Sequence, residues 1–390
     1  MKKKRIIGFV LLILLGLPLW MWLAWWLTPK RKLTVAIIDK TVSDPHGQEH
    51  ISLDWVLNQQ RFSKTTSALY DPAHDYFGFF PGKDDHFRVK GLERFSPDQL
   101  QRLSADADLV YFTDTYGIYK KEWYRKVPAG DNSPVLYGGM SDQDISLLKE
   151  MKARHKLMIA EFNSIGSPTP DDIRHQFEHL FGLRWTGWTA RYFTSLDTLK
   201  DQELPRWLID QYRKEHEGAW PFHNDGIAWV NSSGEIVITE DGAHLADPLP
   251  HIVATPAGQR DLGLPAATRY PFWFDVIEPG DQASGNEAVA EFVISVNAQG
   301  DSLLRQHHIP SHFPAVLRHN GPDYRFYYFS GDFCDNPLSL VSSYFKGISW
   351  FRGLFYNEKE PGERKSFFWN FYLSMLTHIL EAEYRRINGH

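Results

Sequence analysis

Acidic residues recur in this sequence directly after short apolar runs that are typical of buried strands. Asp39 follows VAII, Asp114 follows LVYFT, and Glu161 follows LMIA. Carboxyl groups at a binding cleft can act as general acids, general bases or nucleophiles, above all on sugars. Parallel strands place their carboxyl ends at one edge of a sheet, which is where ligands bind. We therefore take Asp39, Asp114 and Glu161 as candidate catalytic residues.

Further polar residues follow the same strand ends or a late strand that ends at Phe329. The candidates for ligand binding are Glu49, His50, Tyr116, Asn163, Asp332 and Asp335. Together with the aromatic residues, which make up 15% of the chain, they could line a cleft for a sugar. The alternative is that each acid is structural, as a cap or as a buried hydrogen-bonded group. Their recurrence at strand ends favours a site.

Several other kinds of chemistry find no support. There is no phosphate-binding loop and no dinucleotide-binding glycine motif. His307, His308 and His312 have no carboxylate at a metal-binding spacing, so the sequence predicts no metal and no cofactor. The formal net charge is −6 and no basic stripe is present, so a nucleic-acid partner is not expected. Cys334 is the single cysteine, which excludes an intramolecular disulfide.

Strand and helix signals alternate over the first part of the chain. The predicted strands are Leu33 to Asp39, Asp108 to Thr113 and Lys156 to Phe162. The predicted helices are Ile51 to Gln60, Pro97 to Ser104 with Ser96 as its N-cap, a helix opened by Ser141, and one near Asp171 to Phe181. This alternation predicts an α/β fold with a mostly parallel open sheet over residues 33–184.

The pattern changes from about Trp185 onward. A hairpin is predicted from Ile227 to Val230 and Glu235 to Thr239. Three further strands are predicted at Tyr270 to Ile277, Ala288 to Val296 and Tyr324 to Phe329. Two aromatic-rich helices are predicted at Pro337 to Phe355 and Ser366 to Ile387. We predict a mixed α+β region over residues 185–390. It either forms a separate unit or continues the preceding domain.

An uncharged apolar run extends from Ile6 to Leu27, between MKKKR and PKRK. As a helix it would reach roughly 33 Å, enough for a bilayer core of about 30 Å. Residues 6–28 are therefore predicted to form a transmembrane helix after a basic tail of residues 1–5, with Trp20, Trp22, Trp25 and Trp26 at the headgroup level. A cleaved signal peptide is the alternative, but its apolar core is usually shorter. The positive charges predict a single-pass signal anchor in the lipid bilayer, with the bulk of the chain outside the cytoplasm.

Three passages resemble class I glutamine amidotransferase-like domains: DADLVYFTD from Asp106 to Asp114, the loop Tyr137-Gly138-Gly139, and SDQDISLLKEMKARHKLMIAEFN from Ser141 to Asn163. The pattern is most similar to the non-catalytic branch, which occurs as accessory domains of some glycosidases and in membrane-anchored bacterial proteins. The resemblance implies a flavodoxin-like α/β fold. The Gly-x-Cys-x-Gly nucleophile motif of the active enzymes is absent, since Glu161 to Gly166 reads EFNSIG, so glutaminase activity is not expected.

Two functions remain in view. The first is a membrane-anchored, extracytoplasmic amidotransferase-like module without the catalytic cysteine. It would be a non-catalytic component of a cell-envelope or export complex, with a glycan or a membrane protein as its partner. The alternative is an envelope protein that binds or hydrolyses carbohydrate with its strand-end carboxylates. If the protein is an enzyme, we expect a carboxylate-based hydrolase.

Overall fold

The computed structural model describes residues 16–44, 48–125, 133–200, 203–280 and 285–389. The strands within these ranges are β1 Arg31–Lys32, β2 Val35–Asp39, β3 Phe62–Ser63, β4 Phe77–Pro81, β5 Phe87–Lys90, β6 Leu109–Asp114, β7 Ile118–Tyr119, β8 Val135–Tyr137, β9 Leu157–Glu161, β10 Leu183–Phe193, β11 Gly226–Asn231, β12 Ile236–Glu240, β13 His251–Ala254, β14 Ala267–Arg269, β15 Trp273–Pro279, β16 Asn286–Val293, β17 His312–Asn320 and β18 Arg325–Phe329. The α-helices with both ends in these ranges are α1 Ile51–Gln59, α2 Pro97–Asp106, α3 Lys120–Arg125, α4 Asp142–Ala153, α5 Asp171–Phe181, α6 Arg206–Glu215, α7 Pro256–Leu262, α8 Ala298–Gln306, α9 Lys365–Phe367 and α10 Leu373–Asn388.

A large mixed sheet organises the molecule, in the strand order β14-β13-β16-β17-β18-β9-β6-β2-β4-β5. The pairs from β18 through β9, β6 and β2 to β4 are parallel, whereas the strands outside this centre pair antiparallel. The α/β class is therefore confirmed. Within the large sheet, the strands of residues 33–184 pair mostly in parallel as predicted, with β5 as the antiparallel exception, whereas the sheet as a whole is mixed. Strands from the C-terminal half join the same sheet by antiparallel connections, so the sheet contains strands from both predicted regions.

Local signals in the sequence account for most of the elements around the centre of the sheet. Strands β2, β6 and β9 are buried along their whole length, as their apolar runs predict. Helix α2 begins after Ser96 with a capping box to Gln99, and α4 begins after Ser141 with a capping box to Asp144. Because these caps satisfy free amides of the first turn, they start the helices where the sequence predicts them.

The aromatic segment near the C-terminus differs in part from its prediction. The predicted helix from Pro337 to Phe355 is wrong, because this segment forms the 3-10 turns Leu340–Tyr344 and Ile348–Leu354. Between them Gly347 has a φ of +78°, in the left-handed region that interrupts a helix. The predicted final helix is confirmed by α9, a π-helical turn over Phe368–Tyr372, and α10.

A second sheet, in the order β12-β11-β10-β15, packs on one face of the large sheet. Phe274 of β15 stacks on Phe292 of β16 and on Phe313 of β17, with ring centroids 4.8 and 5.8 Å apart. All three rings are buried. The aromatic excess of the sequence is therefore used in large part for the core between layers.

The structure gives no support to the predicted transmembrane helix over residues 6–28, of which residues 6–15 lie outside the described ranges. Residues 16–27 are helical, but in the described ranges no helix is both long and apolar enough to cross a membrane. Trp25 does not face lipid: its indole nitrogen donates to the Asn58 carbonyl at 2.9 Å, and the Arg61 guanidinium lies 4.3 Å from its ring centroid. Residues 1–15, including the basic tail, lie outside the described residues. The location of the chain outside the cytoplasm stays a prediction.

Candidate functional site

Four neighbouring parallel strands end at one edge of the large sheet. Asp39 at the end of β2 pairs with Asp114 at the end of β6, and Glu161 at the end of β9 pairs with Phe329 at the end of β18. After β18 the chain passes over this edge as residues 330–336. The edge thus has the position at which open α/β sheets bind ligands.

Three carboxyl groups meet above this edge. Glu49, Asp332 and Asp335 each place an oxygen within 4.8 Å of the others, and we call these three residues the acidic cluster. Burial raises the pKa of Glu49 well above its usual range, and the charges of Asp335 and Asp332 raise it further. Burial and the charge of Asp335 also raise the pKa of Asp332 well above normal.

Asp39 and Asp114 lie beside the acidic cluster, and their charges contribute to the raised pKa of Glu49. Thr41 connects the two, because its amide donates to Asp39 Oδ1 at 3.0 Å and its hydroxyl donates to Asp114 Oδ1 at 2.6 Å. Burial raises the pKa of Asp114 to about 7, although the Thr41 hydrogen bond opposes this. Both acids are buried and accept hydrogen bonds from Thr41, so we assign them a structural role next to the cluster.

His50 is fully buried and serves as an internal partner of these acids. Its Nδ1 lies 2.5 Å from Asp39 Oδ2, and its Nε2 lies 2.9 Å from the Pro72 carbonyl oxygen. A carbonyl can only accept, so Nε2 carries a proton, and donation from Nδ1 to the carboxylate makes the ring an imidazolium. Burial opposes this charge, but the hydrogen bond and charge of Asp39 outweigh it and raise the pKa of His50 to about 9.

Glu161 holds the segment that carries two members of the acidic cluster. Its Oε2 accepts from the amides of Phe333 and Cys334 at 3.0 and 3.2 Å, between Asp332 and Asp335. Burial, and then the charge of Asp332, raise the pKa of Glu161 well above normal. The structure therefore places Glu161 under the cluster, as a residue that positions its loop.

Asn163 and Tyr116 reach the edge through different groups. The Asn163 side chain approaches Asp114 Oδ2 at 3.5 Å, and its backbone adopts φ +61°. Tyr116 contacts Asp114 through its backbone amide, at 2.5 Å from Oδ1, while its ring packs on Tyr119. Neither side chain enters the acidic cluster by a hydrogen bond that the structure records.

Two residues near the cluster were not predicted. Arg364 donates to Asp335 Oδ2 at 3.2 Å, and its guanidinium lies 3.6 Å from the Phe272 ring centroid. No local pattern distinguishes this arginine in the sequence. Asp275 is fully buried in β15, where burial raises its pKa to about 7, and it accepts from the Tyr328 hydroxyl at 3.0 Å. A lone acid within the apolar run FWFDVI was a signal that could have identified it.

The acidic cluster can do two kinds of chemistry. Carboxyl groups with raised and unequal pKa values form acid and base pairs at neutral pH. Three carboxylate oxygens at this separation are also the ligand type that hard divalent cations such as Ca²⁺ and Mg²⁺ prefer. No metal site was predicted from the sequence, because Glu49 is far along the chain from Asp332 and Asp335.

No protein family model and no curated protein matches this chain. Among solved structures, a ThuA-like protein from Parabacteroides merdae is 10% identical and matches over 77% of this chain and 78% of that one, with a TM-score of 0.34. A β-galactosidase from Rahnella sp. R3 is 11% identical over 77% of this chain and 28% of its own, with a TM-score of 0.29. The carbohydrate deacetylase Agd3 is 8% identical over 77% of this chain and 29% of its own, with a TM-score of 0.32.

The resemblance to glutamine amidotransferase-like domains is corrected by these comparisons. Five of the similar structures are described as ThuA-like proteins, β-galactosidases and a carbohydrate deacetylase, and none of these five as an amidotransferase. The role that followed from that resemblance, a non-catalytic component of an envelope or export complex, loses its basis with it. At TM-scores this low the similar structures carry no argument about the site, so any function must be argued from the geometry of this chain.

Proposed function

We propose that this protein binds a carbohydrate at the acidic cluster and hydrolyses a bond in it. The observation that carries the proposal is the convergence of Glu49, Asp332 and Asp335 within 4.8 Å, at the sheet edge that binds ligands in open α/β folds. Buried acids that raise one another's pKa oppose folding. Such a group is therefore more typical of a functional site than of a structural one.

The acid and base roles follow from the surroundings of each carboxyl group. Glu49 and Asp332 have pKa values well above normal because both are buried among negative charges. Burial also raises the pKa of Asp335, but Arg364 opposes this by its charge and its hydrogen bond. Asp335 is accordingly the member that loses its proton first and can serve as base or nucleophile. Glu49 or Asp332 keeps a proton and can serve as general acid.

The spacing of the cluster bears on the kind of hydrolysis. Inverting glycosidases separate their two carboxyl groups by about 6.5–9.5 Å to admit a water molecule, and retaining enzymes by about 5–5.5 Å. Oxygens within 4.8 Å are closer to the retaining arrangement. If the scissile bond is glycosidic, we therefore expect retention of configuration.

Aromatic rings and a guanidinium group pack beside the cluster. Tyr270, Phe272 and Arg364 surround Asp332 and Asp335 in a crevice without space for a water molecule, so a ligand would contact these acids only from its rim. The proposal rests on the convergence of the three acids and not on the carbohydrate-related names of the similar structures.

Turnover of sugar substrates tests this proposal. We expect the chain to hydrolyse at least one member of a panel of p-nitrophenyl glycosides and acetylated oligosaccharides. Glu49→Gln and Asp332→Asn should each lower that rate at least about 100-fold, because each removes a proton-transferring group. Both variants should melt at or above the wild-type temperature, since losing a charge relieves repulsion in the cluster.

Asp98→Asn is the matched control, because Asp98 is an exposed acid in the first turn of α2. This variant should keep the wild-type rate. The proposal fails if the wild-type chain turns over none of the panel, or if Glu49→Gln and Asp332→Asn remain active. It also fails if both variants unfold, because the acids would then be structural.

The oxygen-only ligand set leads to a separate expectation for divalent cations. Mn²⁺ or Ca²⁺ at about 100 times its dissociation constant should stabilise the chain by about 2.7 kcal/mol, because a cation neutralises the mutual repulsion in the folded state alone. The measurement is the melting temperature with each ion and after addition of EDTA. Asp332→Asn should remove the effect and Asp98→Asn should keep it. If no ion changes the wild-type melting temperature, the cluster binds no divalent cation and protonation alone relieves its repulsion.

A further inference from the structure

A cavity of about 430 Å³ opens between strands β4 and β5 and the segment of residues 72–74, and no member of the acidic cluster lines it. This volume lies within the range of about 300–1,000 Å³ that is typical of small-molecule sites. We propose that the cavity is a subsite for the ring of a negatively charged sugar, a uronic acid or a sugar phosphate. The choice of a sugar rests on the proposed function, whereas the negative charge rests on the cavity itself.

One wall of the cavity is a preformed aromatic surface. Tyr76 and Phe80 stack with ring centroids 4.1 Å apart and planes 12° apart, and both side chains are almost fully buried. Phe87 also lines the cavity and is 37% exposed. The faces of Tyr76 and Phe80 are occupied by one another and by Arg88, so Phe87 is the ring of this wall that the apolar C–H face of a sugar can reach.

The charge of the lining selects a negative substituent. Arg88 lies with its guanidinium 4.7 Å from the Phe80 ring centroid, and within the ranges described its recorded contacts include no salt bridge to a carboxylate. His74 and His86 line the same cavity, and no acidic residue belongs to the described lining. An arginine guanidinium without a salt-bridge partner can bind a carboxylate or a phosphate through two parallel hydrogen bonds.

His50 joins the cavity to the acidic cluster. Its ring lies 4.8 Å from the Tyr76 ring, and its Nε2 donates to the carbonyl of Pro72, which lines the cavity. On its other side His50 donates to Asp39 beside the cluster. The cavity and the acidic cluster are therefore linked through the buried ring of His50, which does not itself line the cavity.

Direct binding to the full chain tests this inference without requiring turnover. The probes are galacturonic acid, glucose 6-phosphate and neutral galactose, measured by calorimetry at low ionic strength. We expect at least one charged sugar to bind tenfold or more tightly than galactose. Comparison of the two charged probes shows whether carboxylate or phosphate is preferred. Arg88→Met should weaken that binding at least tenfold while keeping the fold, because Arg88 is exposed.

Lys83→Met is the matched control, since Lys83 is an exposed cation between β4 and β5 that does not line the cavity. It should change the affinity less than twofold. Equal binding of all three sugars, no binding of any, or an equal loss in both variants overturns the inference. Tight binding of a charged sugar without any turnover rejects the proposed hydrolysis only. Turnover that survives without charged-sugar binding rejects the cavity only.

Discussion

Replacing Lys40 with methionine is expected to lower the free energy of unfolding by about 3–5 kcal/mol, because it leaves a buried carboxylate without its cation. Lys40 is 1% exposed, and its Nζ donates to Asp144 Oδ2 at 2.7 Å, to Glu93 Oε1 at 2.5 Å and to the Gly139 carbonyl at 2.9 Å. Asp144 is fully buried and caps helix α4. Urea denaturation of the full chain measures the loss.

The pairing of Lys40 with Asp144 is also tested by a second substitution. Asp144→Asn in the Lys40→Met background should recover at least about 1 kcal/mol, because the amide removes the uncompensated charge. Lys149→Met is the control for loss of a lysine, since Lys149 is exposed on the same helix, and it should cost about 0.5 kcal/mol or less. A Lys40→Met variant within about 1 kcal/mol of wild type would contradict this account of the pair.

Stability is expected to be highest near pH 4 and to fall by several kcal/mol toward pH 9. Burial, as the largest cause, raises the pKa of Asp54, Asp114 and Asp275 to about 7. In the unfolded chain these groups titrate near 3.9, so between the two values the folded state holds more protons. Their stabilising contribution is fully present below the unfolded pKa and is lost as the pH rises through 7.

His50 acts in the same direction at higher pH, since its folded pKa of about 9 lies above the unfolded value and its contribution is lost as the pH passes 9. A tenfold change in proton affinity corresponds to about 1.4 kcal/mol, so several such groups together give a loss of several kcal/mol. At low pH the dependence of stability on pH reverses, so that stability falls as the pH falls. The Lys40 pair holds the pKa of the partly buried Glu93 below its usual range, so its contribution is lost below about pH 4.

Thermal melts from pH 4 to pH 9 measure this profile. Asp54→Asn should flatten it between about pH 4 and 7. Neither carboxyl oxygen of this buried residue has a hydrogen-bond partner among the described residues, and burial, helped by the charges of nearby acids, raises its pKa against the opposing charge of His50. Asp98→Asn should leave the profile unchanged. A melting temperature that rises steadily from pH 5 to pH 8 would show that these acids are ionised in the folded protein.

Part of the architecture and part of the candidate site could be predicted from local sequence. The caps at Ser96 and Ser141 and the apolar runs before Asp39 and Asp114 depend on neighbouring residues, so their elements are found where the pattern predicts them. How the strands of the C-terminal half join the large sheet depends on distant partners, so local sequence left it open. The contacts of Trp25 with Asn58 and Arg61 also join distant positions, and its place was predicted wrongly for that reason.

The sequence by itself determined that acids stand at the ends of strands β2, β6 and β9, because alternation of apolar runs and capped helices is a local property. The parallel pairing of β18 with β9 brings Asp332 and Asp335 over the same edge, next to Glu49. Only the tertiary structure decided which acids meet in a cluster and which, like Glu161, instead bind the backbone of the loop that carries it. The physical reason is that side-chain direction and burial depend on residues hundreds of positions apart, and these in turn set each pKa.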